Sequence, residues 1–221
     1  MIKGVIFDID GTLVDSNDAH ARSWVDTFAE AGYDVPFDVV RPLIGMGGDK
    51  LLPKTIGKSR DSEEGKKLVK RRSEIFRERY LPHLRPLKGA RDLVLRVRSD
   101  GLKAVVATSA KEEELKGLLK AAQVDDLMEE EATASDADRS KPDPDIVHAA
   151  IEQSGVSSEY LVMIGDTPYD IEAASKAHVR TIAFRSGGWK DDALKGAVEI
   201  YNGPDDLLAH YESSIIGKER Q

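Results

Sequence analysis

Apolar residues follow two different periods along this chain. Val5-Ile6-Phe7 is a continuous apolar run, and it predicts a strand covered on both faces, as in the middle of a parallel sheet. The period then becomes helical. Ala21, Trp24, Val25 and Phe28 recur at i, i+3, i+4 and i+7, and Asp15 to Asp18 offers N-cap residues, so a helix is predicted to Ala31, with Gly32 ending it. A shorter helix is predicted after Pro36, through Val39, Val40 and Leu43. A loop, Gly45 to Lys50, separates it from a long helix running from Ser62 to about Tyr80, with Leu68, Val69, Ile75 and Phe76 on one side. Nothing between Ser16 and His83 reads as a strand.

From Pro86 onward the two periods alternate. Helices are predicted over 89–99, 111–122 and 143–154 and after Pro168; strands are predicted over 102–107, 161–164 and 181–184. The segment 127–133 is a weaker strand candidate because it holds three glutamates. The tail from Ser213 to Gln221 is expected to fray. Strands alternating with helices imply a parallel sheet with helices on both faces. The expected fold is α/β: a doubly wound, Rossmann-like core of residues 1–15 and 85–221, interrupted by an inserted α-helical cap over 16–84.

Composition narrows the partners. The chain has 221 residues, 40% hydrophobic and 33% charged, enough for a sizeable core. Its formal net charge of −8 argues against nucleic acid or an anionic membrane as the main partner. No apolar stretch approaches the length of a membrane span. Without cysteines there is neither a disulfide framework nor thiolate chemistry. The first strand follows directly on the N-terminus with no leader pattern, so a cytoplasmic protein is expected, as a monomer or weak dimer.

The reactive residues stand at strand ends. Asp8 and Asp10 close the first strand, where open α/β sheets bind their ligands, and two carboxylates so close repel unless a cation or a shared proton joins them. Thr108 and Ser109 close the next strand. Lys141, in Ser140-Lys141-Pro142-Asp143-Pro144, precedes a helix, and Asp166 and Asp170 follow Ile164-Gly165.

Asp8-Ile9-Asp10-Gly11-Thr12, followed in order by these three groups, resembles the motif series of the haloacid dehalogenase superfamily, most of whose members are magnesium-dependent phosphatases. The helical insertion after the first motif resembles its subfamily I, and the resemblance covers essentially the whole chain. It implies Mg²⁺ held by the Asp8 carboxylate, the Asp10 backbone carbonyl and Asp166, with Asp170 binding directly or through water. Asp8 becomes the nucleophile that forms an aspartyl-phosphate, and Asp10 the general acid and base, its pKa raised by closure of the cap. Lys141 neutralises charge, and the Thr108 hydroxyl, with Ser109 as a second candidate, binds phosphoryl oxygens.

The substrate expected from the resemblance is a small phosphorylated metabolite, a phosphoglycolate or a sugar phosphate. His20 and the Gly45–Lys50 loop, with Lys50 reading the leaving group, are the cap candidates; Arg41 and Lys54 rank below them. A β-phosphoglucomutase activity ranks second, because those enzymes resemble this chain but usually carry Glu-Asp where Gly165-Asp166 stands. A receiver-like or non-catalytic binding module ranks last. Receivers place the phosphoacceptor at the third strand, and a binding relative is expected to have lost Asp8 or Asp10.

Overall fold

The computed structural model describes residues 1–110, 112–128, 130–133 and 135–220, without the side chains of Glu130 and Glu131. Six parallel strands form one sheet: β1 (Gly4–Phe7), β2 (Lys103–Ala107), β3 (Glu130–Ala132), β4 (Leu161–Gly165), β5 (Arg180–Phe184) and β6 (Glu199–Tyr201). Their order is β3-β2-β1-β4-β5-β6, so the chain leaves β1 first toward one edge and then toward the other. Phe7 stands level with Val106 of β2 and Ile164 of β4, and the crevice at this reversal lies beyond the carboxyl ends of three central strands.

The continuous apolar run of β1 now has its reason. Val5 and Phe7 pack on one face with Val106, Ile164 and the helices α5 (Ala90–Ser99) and α6 (Glu112–Ala122). Ile6 faces the other way, with Val105, Met163 and the helices α7 (Asp145–Ser154) and α8 (Pro168–Lys176). Both faces are covered, so no position on β1 tolerates a polar side chain until the strand ends.

Between β1 and β2 lies an all-helical insert: α1 (Asn17–Glu30), α2 (Phe37–Val40), α3 (Gly48–Ile56) and α4 (Glu63–Ile75). It has its own core, in which Ala21, Trp24 and Phe28 meet Val40, Leu51, Leu52 and Leu68. The predicted apolar stripes of the two long helices supply most of it.

Two expectations are corrected. The segment read as a loop ending at Lys50 turns helical at Gly48, and α3 was not foreseen because two glycines open it and Pro53 lies inside it. Burial of Leu51 and Leu52 outweighs those poor helix formers. The tail does not fray within the described residues. It forms α10 (Ile215–Glu219) after α9 (Pro204–Ala209), buries Ile216, and the Glu219 carbonyl accepts the Ile2 amide at 2.7 Å. The strand expected over 127–133 is confined to Glu130–Ala132. Within the predicted segments, Lys111, Glu129 and Gln221 lie outside the described residues. No helix among the described residues is long and apolar enough to cross a membrane.

Candidate active site

The polar residues begin where β1 ends. The Asp8 amide still donates to Ile164 O at 2.9 Å, as if the strand continued, and the chain then folds back so that Gly11 N donates to Val14 O at 2.8 Å. Gly11 adopts φ +77°, and a Cβ there would stand 2.1 Å from an Asp166 carboxylate oxygen. Only glycine lets this turn lie against Asp166.

Asp8, Asp166 and Asp170 converge, with one oxygen from each within 4.8 Å of the others. All three are buried. Lys141, 1% exposed, reaches them from the segment before α7; its Nζ donates to Asp8 Oδ1 at 2.5 Å, lies 2.7 Å from Asp170 Oδ1 and donates to the Ala107 carbonyl at 3.1 Å. Asp170 is fixed from its own helix, where Thr167 and Asp170 form a reciprocal cap on α8. Asp166 accepts the Asn17 amide at 2.7 Å, and the Thr12 hydroxyl bridges Asp166 and Asp8 at 3.3 and 3.4 Å.

Three carboxylates face one ammonium, and the electrostatics follow. Burial, together with Asp170 and Asp10, pushes the Asp8 carboxyl up to about 7 despite Lys141. Burial and the Asp170 and Asp8 charges hold Asp166 well above the usual range. Burial opposes the Lys141 charge, but Asp170 and Asp8 outweigh it and raise its pKa. The Asn17 Oδ1 beside Asp166 is buried without a hydrogen-bond partner among the described residues. A surplus of buried negative charge, an all-oxygen donor set and an unfilled acceptor suit a hard divalent cation.

Asp10 belongs to a different network. Its Oδ1 accepts the Ser16 hydroxyl at 2.5 Å and lies 2.7 Å from His20 Nε2. His20 is buried, stacked on Phe76 at 4.0 Å, and its Nδ1 meets the Arg72 guanidinium. Arg72 can only donate, so Nδ1 accepts and the ring proton sits on Nε2, facing Asp10. Arg72 in turn grips Glu114 of α6 at 2.8 and 3.0 Å, and Ser73 donates to the same carboxylate. Burial raises the Asp10 carboxyl, but His20, Ser16 and Arg72 outweigh it, and Asp10 stays below the usual range. The raised pKa expected for Asp10 is therefore not found in this state; donors from α1 and α4 outweigh desolvation.

Asp8, Asp10, His20, Thr108 and Ser109 all line one cavity of about 100 Å³ between the insert and the sheet. Thr108 is buried, and its hydroxyl accepts the Ala110 amide at 3.0 Å. Gly45 to Asp49 line the cavity too, but Lys50 does not. Its Nζ donates to Asp143 Oδ2 at 2.6 Å, joining the insert to the segment before α7. The expectation that Lys50 faces the leaving group is corrected: Lys50 lies on α3, and an acidic partner on the sheet side holds it.

Sequence reasoning missed Arg72 and Glu114. Both carried a signal. Arg72 lies midway between Leu68 and Phe76 on the buried stripe of α4, and Glu114 is followed at i+4 by buried Leu118 on α6. Opposite charges inside two apolar stripes call for each other.

The wider likenesses agree with this geometry. Residues 5–184 match the family described as haloacid dehalogenase-like hydrolase. A relative from Caldanaerobacter subterraneus that carries the provisional name pyrophosphatase PpaX is 30% identical over 83% of this chain and 82% of its own. A phosphoglycolate phosphatase from Caulobacter vibrioides is 31% identical over 79% and 76%. The crystal structure of a hydrolase from Pseudomonas syringae superposes with a TM-score of 0.87 at 29% identity, covering 95% of this chain and 98% of that one. The strand-end aspartates, the sheet order and these matches together place the chain in the haloacid dehalogenase-like hydrolase family, an enzyme family, among relatives named as phosphatases.

Proposed function

We propose that the chain is a Mg²⁺-dependent phosphoric monoester hydrolase acting on a small phosphorylated metabolite, with the insert, residues 16–84, as a cap over a core of 1–15 and 85–221. The observation that carries this is the division of labour between two aspartates two residues apart. Asp8 sits among Lys141, Asp166 and Asp170, whereas Asp10 is tethered by His20 and Ser16 toward the insert.

Asp8 attacks phosphorus and forms an aspartyl-phosphate, splitting hydrolysis into two easier steps. A phosphate dianion repels that carboxylate, so charge must be cancelled first. Lys141 supplies one positive charge at 2.5 Å. Mg²⁺ held by Asp8, Asp166, Asp170 and the Asp10 backbone carbonyl would supply the rest, as a Lewis acid for the phosphoryl oxygens. Thr108, with Ser109 beside it, donates to those oxygens.

Asp10 handles the proton of the leaving oxygen. With both Ser16 and His20 on Oδ1, its Oδ2 is the atom left to exchange a proton. Its lowered pKa gives the carboxylate needed to deprotonate water in the second step. In the first step the incoming dianion opposes that ionisation and draws the carboxyl upward, toward the acid form.

Phosphoryl transfer between sugar positions is the weaker reading. Gly165 stands where the mutase resemblance calls for Glu, and a Cβ there would lie 2.6 Å from Asp170 Cβ. No larger side chain fits while Asp170 holds its place. A cytoplasmic setting and a monomer or weak dimer complete this reading. The test is hydrolysis of an aryl phosphate with Mg²⁺ and with excess chelator, followed by mass detection of phosphate on Asp8. Turnover unaffected by chelation, with metal content checked, would exclude the scheme.

A further inference from the structure

Almost every ionisable side chain lining the cavity already has a partner. Asp8 is held by Lys141 and Asp10 by His20, while His20 and Glu114 both engage Arg72. Asp49, at the start of α3, accepts both the hydroxyl and the amide of Ser140. Arg60 differs. It lies between α3 and α4, lines the same cavity, is half-buried, and has no hydrogen-bond or ion-pair partner among the described residues.

An arginine in this position is poorly accounted for by structure alone. Arginines elsewhere in the insert are engaged: Arg41 with Asp18, Arg71 with Glu30, Arg79 with Asp26 and Glu30, and Arg22 against the Phe37 ring. Arg60 is left facing a cavity whose own carboxylates are neutralised from elsewhere. The partner that would complete it is an anion entering with the substrate, and the planar fork of guanidinium donors matches a carboxylate or a phosphate. Asp8 and Lys141 hold the phosphoryl end on the sheet side, so Arg60, on the insert side, meets the leaving group.

We propose that Arg60 is the specificity-determining residue of this site, and that the substrate is a phosphoric monoester whose leaving group carries a second anionic group, either a carboxylate or another phosphate. The proposal rests on the phosphomonoesterase reading above. It assigns to Arg60 the recognition that Lys50, held by Asp143, does not provide.

The experiment measures kcat/KM of the full chain with Mg²⁺ on matched pairs. One arm compares 2-phosphoglycolate with 2-hydroxyethyl phosphate. A second compares propane-1,3-diol bisphosphate with propyl phosphate, and p-nitrophenyl phosphate serves as the activated control. The wild-type protein is expected to prefer the charged member of at least one pair by about ten- to a hundredfold, the range of one charge-assisted contact. The pair with the larger preference identifies carboxylate or phosphate as the group recognised. Arg60→Gln is expected to erase that preference mainly through KM, and Arg60→Lys to keep part of it. Both variants are to be checked for an unchanged melting transition.

Equal rates on charged and neutral members overturn the proposal. So does an Arg60→Gln variant that loses the same factor on every substrate. If even p-nitrophenyl phosphate is not hydrolysed, the phosphatase reading fails and the proposal fails with it. Hydrolysis of the aryl phosphate without any charge preference refutes Arg60 alone.

Discussion

The two halves of the site are built on different principles. On the sheet side, Asp8, Thr108 and Asp166 sit just beyond strand ends, which the backbone of a doubly wound sheet brings together whatever the side chains are, and Lys141 reaches them from the segment before α7. On the insert side, His20, Arg72 and Arg60 come from helices and a loop, and their placement depends on side-chain pairing, as of Arg72 with His20 and with Glu114 of the core helix α6. The sheet half is crowded with like charges that await a cation. The insert half is already neutralised, apart from Arg60. One half is therefore built to do chemistry on a dianion, and the other to close over what is attached to it.

The strongest attack on this contrast is Asp8→Asn. It keeps the size of the side chain and removes the nucleophile, so kcat should fall by at least ~10³-fold. The fold should survive, because the change removes one of three mutually repelling carboxylates. Circular dichroism and a melting curve beside the rate assay check both parts. A folded variant with near wild-type turnover would leave the sheet half without its chemical role.

Metal removal probes the same half through pH. The Asp8 carboxyl has an ordinary pKa of 3.8 when unfolded and about 7 in the folded, metal-free protein. Between those values the folded state keeps a proton that the unfolded chain releases, so stability is full below the lower value and is lost as pH rises through the upper one. Asp166 is shifted in the same direction. The metal-free protein should therefore melt at a lower temperature at pH 8 than at pH 5. Mg²⁺, which needs the deprotonated carboxylates, should restore more at pH 8. Thermal shift with and without Mg²⁺ across that range decides it; the same response to Mg²⁺ at both values would show that these carboxylates do not hold the ion.

The contrast also explains what the sequence makes legible. Strand ends announce themselves: an apolar run stops and a carboxylate or hydroxyl follows, as at Phe7-Asp8, Ala107-Thr108 and Ile164-Gly165-Asp166. Long-range order then follows from the right-handed winding of parallel strands. The insert offers no such rule. Its stripe residues Ala21, Trp24, Phe28 and Leu68 read as core and are core, but nothing local says that Lys50 meets Asp143, 93 residues away, and not a ligand. The helix α3 escaped for the same reason. Propensity weighs against it, and burial of Leu51 and Leu52 decides it. Edge strand β6 and the docked tail were hidden too. Their contacts, such as Arg180 with Glu219 at 2.8 Å, are made only once the sheet exists.

Glu114→Gln tests whether the insert half is a clamp. Glu114 is buried on α6 and holds Arg72 and Ser73 of α4. Burial raises its carboxyl, but Arg72, His20 and Ser73 outweigh this and hold it below the ordinary value. Its ionised form thus stabilises the fold above that value and ceases to do so in acid. The amide retains shape but loses the charge, leaving the guanidinium under-paired at a cost of about 1.5–3 kcal/mol. A drop in melting temperature at pH 7 that shrinks toward pH 4 is expected, with a fall in kcat as His20 loses its support. A variant as stable as the wild type at pH 7 would make the α4–α6 contact incidental.

The smallest effect belongs to Lys50→Ala, and it separates recognition from mere attachment. Lys50 and Asp143 form an ion pair at 2.6 Å whose side chains are 31% and 21% exposed. Such a pair contributes about 0–1 kcal/mol, since solvent and salt screen it. Gly47 N donating to Ser140 Oγ at 3.0 Å, and Asp49 accepting from Ser140, fasten the same edge of the insert without it. Removing Lys50 should therefore change kcat/KM by no more than about fivefold. The factor should be the same for charged and neutral leaving groups, because the lysine steadies the insert and touches none of them. The charge preference itself should persist in Lys50→Ala and vanish in Arg60→Gln. Steady-state kinetics of both variants on 2-phosphoglycolate and 2-hydroxyethyl phosphate provides the comparison. A Lys50→Ala variant that lost activity only on the charged substrate would move recognition from Arg60 to Lys50, and would mean that the Lys50–Asp143 pair opens when substrate arrives.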